Sequence, residues 1–518
     1  MEQLISKYFE RALFFVIVLL VIYVRVRYAN MAMERDEGEY AYAASQILRS
    51  GFPFKDFYNM KLPGVYYAYS GLMLLLGKSI FSIRIGVMFL NLASSVLVLK
   101  LGQRWINERA GYLAASFFLL LSLHFAVQGI VSNCEHFVVF CLLVCLYLFA
   151  NERYFWAGLF AAFTVFMKQQ GAILLVFAFV FFVYQLFLKR KEGFIFKKIG
   201  LAALGFSIPF VVFLSTVLYK GVWESFHFFV IDYSRAYIGI EEPHHDFRVL
   251  TSVMRDGKIS WFCLKIILIF ALIIGIFYKK KAFKSSLNAW FLILFVLVSY
   301  LSILPGWYYR PHYYQYLMPS VALLMAYSWA FLSHVLAQTK YKMLFALLLF
   351  ICVTENIYDQ RQYFFEYSTS DFLNKMYPDE HFGELRTLGT MLKSKMSPTD
   401  SLGMIGNEPQ LLFYTDKVSA SGYLYCYPFI EKQMYNAQMA TQFKTEITTC
   451  KPKWIVDCMD WEKWPSLAAQ TPLNETKQFV QTHYILRGVL LKNLQIAWPI
   501  DSIPSKNTVK ALVYERKD

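Results

Sequence analysis

A few ionisable groups interrupt an otherwise apolar chain, and their neighbours suggest chemistry. The stretch Glu34-Arg35-Asp36-Glu37-Gly38-Glu39-Tyr40 crowds carboxylates around one guanidinium. A carboxylate held within hydrogen-bond reach of a hydroxyl can act as a general base, which makes Asp36 a candidate. Its other use is as the N-cap of the helix that Tyr40, Ala44, Ile47 and Leu48 predict over 37–48, a helix lying along the membrane interface. In Asn59-Met60-Lys61-Leu62-Pro63-Gly64, Lys61 is placed either to hold a phosphate as a point charge or to snorkel. Glu135, in Val131-Ser132-Asn133-Cys134-Glu135-His136, is a second carboxylate or a helix cap, and Lys168 closes an apolar run where snorkelling is again the plain alternative. Arg310 and His312, within Pro305-Gly306-Trp307-Tyr308-Tyr309-Arg310-Pro311-His312-Tyr313-Tyr314, exceed what an interfacial aromatic belt requires. Arginine brings a planar fork of donors matched to phosphate oxygens, and histidine a switchable one. Asp232, Arg235, Glu241, Glu242, His244, His245 and Asp246 cluster in another stretch. Adjacent histidines on a loop rarely point at one ion, so no metal is expected there.

The elements that position these groups are membrane helices. Of 518 residues 57% are hydrophobic and only 17% charged, which excludes a soluble globular or a disordered chain. About eleven segments of ~20 mostly apolar residues, the length that spans a bilayer, are expected. They lie near 8–28, 83–103, 110–129, 136–150, 155–169, 171–188, 199–219, 260–278, 286–304, 314–333 and 343–358. The first is too long, and lacks the cleavage site, for a signal peptide.

Basic residues concentrate in cytoplasmic loops. With the N-terminus inside, the inner loops carry Arg104 and Arg109, Arg153, Lys189-Arg190-Lys191 with Lys197 and Lys198, Lys279-Lys280-Lys281 with Lys284, and Lys340 with Lys342. Arg25 and Arg27, at the outer end of the first span, oppose the rule and would have to snorkel. The net charge of +15 is therefore a topology signal, and nucleic acid is not an expected partner. An odd number of spans leaves the chain beyond about 360 outside. There the composition turns polar, with short β-prone runs such as Ser401-Leu402-Gly403-Met404-Ile405 and Trp454-Ile455-Val456. The expectation is a polytopic α-helical membrane domain over 1–359 and a small extracytoplasmic α/β domain over 360–518. Cys426, Cys450 and Cys458 fall in the latter and could pair in an oxidising compartment. No CxxC or Cys/His cluster suggests a metal site.

Taken together, Asp36-Glu37-x-x-Tyr40, Gly51, Lys61-x-Pro63, Gly77 with Arg84, Glu135, Lys168-x-x-Gly171 and His312-Tyr313-Tyr314 to Pro319 resemble the multi-span, GT-C type glycosyltransferases related to protein O-mannosyltransferases and to the lipid A aminoarabinose transferase. The resemblance covers nearly all of the membrane part, and more loosely Gly406-Asn407-Glu408-Pro409 with Leu412 to Tyr414. The chain departs from the common pattern at Leu62, where many relatives have proline, and at Glu135, where several have aspartate.

The resemblance implies a sugar transferase that takes its donor from a polyprenyl phosphate and delivers it to an acceptor hydroxyl on the outer face, on lipid or surface glycan. Asp36 then matches the base, Lys61 the lysine that meets the carrier phosphate, and Glu135 an acid of the substrate pocket. Glu37, Lys168, Arg310 and His312, with Arg235 and His245 on a weaker match, are expected substrate contacts. Departure of the lipid phosphate leaves charge that Lys61, Arg310, His312 and Lys168 could stabilise. One base with no second nucleophile suggests inverting direct displacement. No cofactor or metal is expected, and the plainest location is a bacterial inner membrane. A protein O-glycosyltransferase differs only in its acceptor. A lipid-linked sugar flippase would instead carry ionisable groups near the bilayer midplane.

Overall fold

The computed structural model describes residues 2–188, 194–241, 289–335, 342–378, 380–459, 471–491, 495–500 and 509–517. The chain forms two compact units. One comprises Met1–Ala29, Arg84–Ser215 and Pro243–Ser368; the other comprises Asn30–Ile83, Thr216–Glu242 and Thr369–Asp518. Asn30–Ile83 belongs to the same unit as the C-terminal segment, which begins at Thr369.

The apolar part runs through α1 (Glu2–Arg27), α2 (Arg35–Leu48), α3 (Gly64–Leu76), α4 (Ile80–Trp105), α5 (Glu108–Leu123), α6 (Glu135–Ala150), α7 (Tyr154–Met167), α8 (Gly171–Leu188) and α9 (Ile195–Tyr219), then α10 (Ala289–Leu301), α11 (Met318–Val335) and α12 (Lys342–Asp359). Helices occupy ten of the eleven segments expected to span, and the remaining one, 260–278, lies outside the described residues. Ile80–Trp105, Gly171–Leu188, Ile195–Tyr219 and Pro311–His334 are long and apolar enough to cross a membrane. In such segments a helix is dictated by the solvent, because lipid offers no partner to a free backbone group.

In the first unit α6 packs on α7, α5 on α11 and α1 on α5. Phe177 of α8 stacks on Phe295 of α10 at 4.2 Å. Along α9, Val211 and Val212 are left exposed, as a lipid-facing surface requires. Arg25 does not snorkel: its side chain is buried, and the guanidinium donates to the carbonyl of Gly129 at 2.9 Å. Arg27 likewise reaches the carbonyl of Tyr367 at 2.8 Å. Backbone acceptors within the unit thus take up the charges that oppose the topology rule.

In the second unit the polar segment forms a mixed sheet, six-stranded among the described residues, in the order β2-β1-β3-β6-β4-β5. The strands are β1 (Ser401–Ile405), β2 (Val418–Ser419), β3 (Trp454–Asp457), β4 (Tyr484–Leu491), β5 (Ile496–Ala497) and β6 (Val509–Arg516). Strand β1 pairs in parallel with β2 on one side and β3 on the other, and the remaining pairs are antiparallel. Buried Leu402, Met404, Ile455, Val456 and Val513 make its core. Helices α13 (Thr369–Met376), α14 (Phe382–Lys395), α15 (Gln410–Thr415), α16 (Asn436–Cys450) and α17 (Thr471–His483) accompany it. Cys426, Cys450 and Cys458 are free thiols and do not pair.

Helix α2 differs from its expectation in setting. Its residues from Glu37 to Gln46 are all buried, because α3 covers one side and α15 another. The amphipathic spacing faces protein on both sides. Gly38 permits this: a Cβ there would stand 2.5 Å from the Cβ of Gln410 and 2.6 Å from its backbone nitrogen.

Candidate active site

Glu34, not Asp36, caps α2. Its carboxylate accepts from the Glu37 amide at 2.9 Å, while the Glu37 carboxylate accepts from the Glu34 amide at 3.3 Å, a reciprocal capping box. Burial, together with the neighbouring carboxylates of Asp36 and Glu37, pushes the Glu34 carboxyl well above its ordinary range. With the cap supplied two residues earlier, the Asp36 carboxylate is left available for other partners.

The partner it finds is Lys61. The ammonium donates to Asp36 Oδ1 at 3.1 Å, to Glu39 Oε2 at 2.8 Å and to the Tyr40 hydroxyl at 3.3 Å. It stands 4.7 Å from the centre of the Tyr40 ring. Asp36 and Glu39 are one helical turn apart, so they share a face of α2. Their exposure differs sharply: the side chain is 29% exposed at Asp36 and 0% at Glu39. Glu39 also accepts from the hydroxyls of Tyr66 at 2.5 Å and Tyr425 at 2.9 Å. Burial holds the Tyr425 hydroxyl far above its ordinary pKa, so it remains a donor. Glu39 is thus a buried anchor for Lys61, and Asp36 is the carboxylate that solvent reaches.

The sheet fixes this helix end. The chain leaves β1, crosses to β2 on one side and returns to β3 on the other. In α/β sheets such a switch point opens a crevice beyond the strand ends. The guanidinium of Arg35 occupies this position: it donates to the carbonyl of Asn407 at 3.0 Å and to Glu408 at 2.9 Å, and is also bonded to both oxygens of Glu380. The Asn407 side chain accepts in turn from the amides of Cys426 and Tyr427, each at 2.9 Å. The Gly406-Asn407-Glu408-Pro409 segment therefore clamps the residue next to Asp36.

The first unit carries a second polar group. Lys168 donates to Glu135 Oε1 at 2.6 Å, with both side chains buried, and its ammonium lies 4.1 Å from the centre of the Tyr313 ring. His312 Nδ1 bonds Gln128 Oε1 at 3.0 Å, and its ring packs edge-on to Tyr313, the ring that Lys168 faces. Arg310 is exposed, its guanidinium 5.5 Å from the centre of the Tyr308 ring.

Of the residues expected from the sequence, Asp36, Glu37 and Lys61 come together in one unit, and Glu135, Lys168 and His312 in the other. Arg235 is exposed on the short helix Ser234–Ile238 and joins neither group. His245 lies outside the described residues. Among those described, no three His, Cys, Asp or Glu side chains are placed to hold a metal. Glu39, Tyr66, Tyr425 and Glu408 were not singled out as site residues. The three-residue step from Asp36 was the one signal that could have found Glu39.

Residues 61–219 match the family model described as dolichyl-phosphate-mannose-protein mannosyltransferase. The chain is similar in structure to ArnT from Cupriavidus metallidurans in the apo state, at 13% identity, with 98% of each chain covered and a TM-score of 0.61. It is also similar to the archaeal oligosaccharyltransferase AglB from Archaeoglobus fulgidus, solved with an inhibitory peptide and a dolichol-phosphate. That likeness has 12% identity, covers 96% of this chain and 75% of that one, and has a TM-score of 0.53. No curated protein sequence matches. The chain shares the fold of these two proteins. The resemblance read from Asp36-Glu37, Lys61-x-Pro63 and the later motifs is borne out by that fold and by the family match from Lys61 to Tyr219.

Proposed function

We propose that the chain is a glycosyltransferase that moves a sugar from a polyprenyl-phosphate donor to an acceptor hydroxyl on the outer face of the membrane. The observation that carries this reading is Lys61, shared between the solvent-reached Asp36 and the buried Glu39. The dolichol-phosphate bound to the structurally similar AglB supports a lipid phosphate as the donor's anchor.

In the reaction the acceptor oxygen forms its bond to the anomeric carbon as the bond from that carbon to the phosphate oxygen breaks. The acceptor proton passes to Asp36. The departing phosphate keeps the bonding electrons, and Lys61 meets its charge, turning from Asp36 while Glu39 retains it. The exchange frees the base as the donor arrives. Glu37 keeps α2 capped, and Glu135 with Lys168, His312 and Arg310 supplies polar contacts to the substrates. A single base with one displacement gives inversion. The apolar helices support an integral membrane protein, and the basic loops support a site on its outer face.

Purified chain in lipid vesicles, given polyprenyl-phosphate-linked sugars, is expected to release free polyprenyl phosphate only when an acceptor is present. Donor turnover that is absent with every sugar tested would overturn the reading. The matched family's description names protein as acceptor, which favours a serine- or threonine-containing peptide as the second acceptor to supply, beside lipid and glycan.

A further inference from the structure

The C-terminal end of α2 borders a cavity of about 510 Å³ that the proposed chemistry does not use. It lies wholly within the second unit, between the segment 46–58 and the loop 418–422. Its size is in the range of about 300–1,000 Å³ typical of small-ligand sites. The walls are built, not incidental. Tyr58 donates its backbone N–H to the Gly422 carbonyl at 2.7 Å. Glu446 then braces the loop, accepting from the hydroxyls of Tyr58 at 3.0 Å and Ser421 at 2.6 Å, the Gly422 amide at 3.0 Å and the Gln442 side chain at 2.9 Å. Those four bonds saturate Glu446, which makes it a wall rather than a ligand contact. Gly422 is required here, since a Cβ would stand 2.4 Å from the Tyr58 ring.

What remains for a ligand is polar and of mixed sign. The Gln46 side chain forms part of the lining; its Nε2 is turned away from solvent and, among the described residues, has no hydrogen-bond partner, which leaves the rest of the amide to face the cavity. Lys55 is exposed at the edge, and among the described residues its ammonium makes no hydrogen bond or ion pair. Asp56, beside it, accepts from the Phe52 amide at 2.7 Å. Arg49 is held by Asp416 at 2.5 Å. A lipid tail finds little apolar wall, a phosphate meets Asp56, and a simple cation meets Arg49 and Lys55. Hydroxyls, which both donate and accept, suit every group present.

We propose that this cavity is a subsite for an uncharged, hydroxyl-rich ligand, namely a segment of glycan. Gln46 lies ten residues along α2 from Asp36, about 15 Å at 1.5 Å per residue. A glycan seated there reaches the base with sugar units to spare, so the subsite reads the substrate at a distance from the bond being made. That role rests on the glycosyltransferase reading; binding itself does not.

The test is saturation-transfer NMR on the full-length chain in detergent, with maltotriose, cellotriose and mannotriose as probes and inorganic phosphate and a zwitterionic tripeptide as comparators. At least one trisaccharide is expected to bind to the wild type. Gln46→Leu and, separately, Lys55→Ala are expected to weaken that binding by about fivefold each, the worth of one hydrogen bond. Gln46→Leu removes an unpartnered buried amide and is expected to leave the melting temperature unchanged or raised, and Lys55 is a surface residue, so neither result is confounded by unfolding. No trisaccharide binding, equal binding by both variants, or binding of phosphate or tripeptide instead overturns the proposal. Sugar transfer without trisaccharide binding sinks the subsite alone, whereas trisaccharide binding without any transfer sinks the glycosyltransferase reading alone.

Discussion

Lys61 stands between two carboxylates of unequal exposure, and that inequality separates the effects of removing them. Asp36→Asn takes the proton acceptor from a side chain that solvent reaches, so turnover is expected to fall by about 10²–10⁴ with the melting temperature preserved, as release of polyprenyl phosphate and thermal denaturation will measure. Glu39→Gln neutralises a side chain fully enclosed by Lys61, Tyr66 and Tyr425. It is expected to lower the melting temperature and to raise the KM for donor more than it lowers kcat. Equal loss of kcat in both variants, with stability retained in both, would contradict the division of roles. Asp36 and Lys61 were legible because polar side chains of those types stand out beside apolar runs. Glu39 was read as one more acid in a crowded stretch, since burial is set by Tyr66 and Tyr425, and Tyr425 lies 386 residues away.

At the scale of elements, α2 is placed by close packing at its start and by ion pairs at its end. Gly38→Ala pushes a methyl group against the backbone of Gln410, a cost of about 1–3 kcal/mol for overpacking. Gly71→Ala on α3 meets open space and is expected to be neutral or to stabilise by up to about 1 kcal/mol. Thermal melts of the two variants check the contrast. At the other end Asp416 binds Arg49, Lys78 and Lys393. Partial burial raises its carboxyl, but the Lys78 hydrogen bond and the charges of Lys78, Arg49 and Lys393 outweigh it and hold the group below its ordinary value of 3.8. A depressed carboxylate contributes stability above about pH 4 and loses it as pH falls through the lowered value. Asp416→Asn is therefore expected to cost about 1 kcal/mol or less near neutrality, because these side chains face solvent, and the difference from the wild type is expected to vanish in melts taken near pH 2. The helix over 35–48 was legible from its apolar spacing. Its burial was not, because a spacing names the faces of a helix without naming what covers them.

For the whole molecule, hydropathy located ten of the helices, since lipid imposes a length and a composition. The grouping of Asn30–Ile83 with Thr369–Asp518 was not legible, because contacts across hundreds of residues leave no periodic trace. The expected outer placement of the C-terminal segment can be checked at Cys450, which is exposed. In intact cells expressing a variant that keeps only Cys450, a membrane-impermeant maleimide is expected to label it; labelling only after permeabilisation would put the segment inside. The central claim, sugar transfer from a polyprenyl phosphate with Asp36 as base, is tested most directly by mass spectrometry of the lipids and surface glycans of cells carrying the wild type or Asp36→Asn. The account predicts that the variant accumulates one polyprenyl-phosphate-linked sugar and that the same sugar disappears from an acceptor. Identical profiles in the two strains would contradict it.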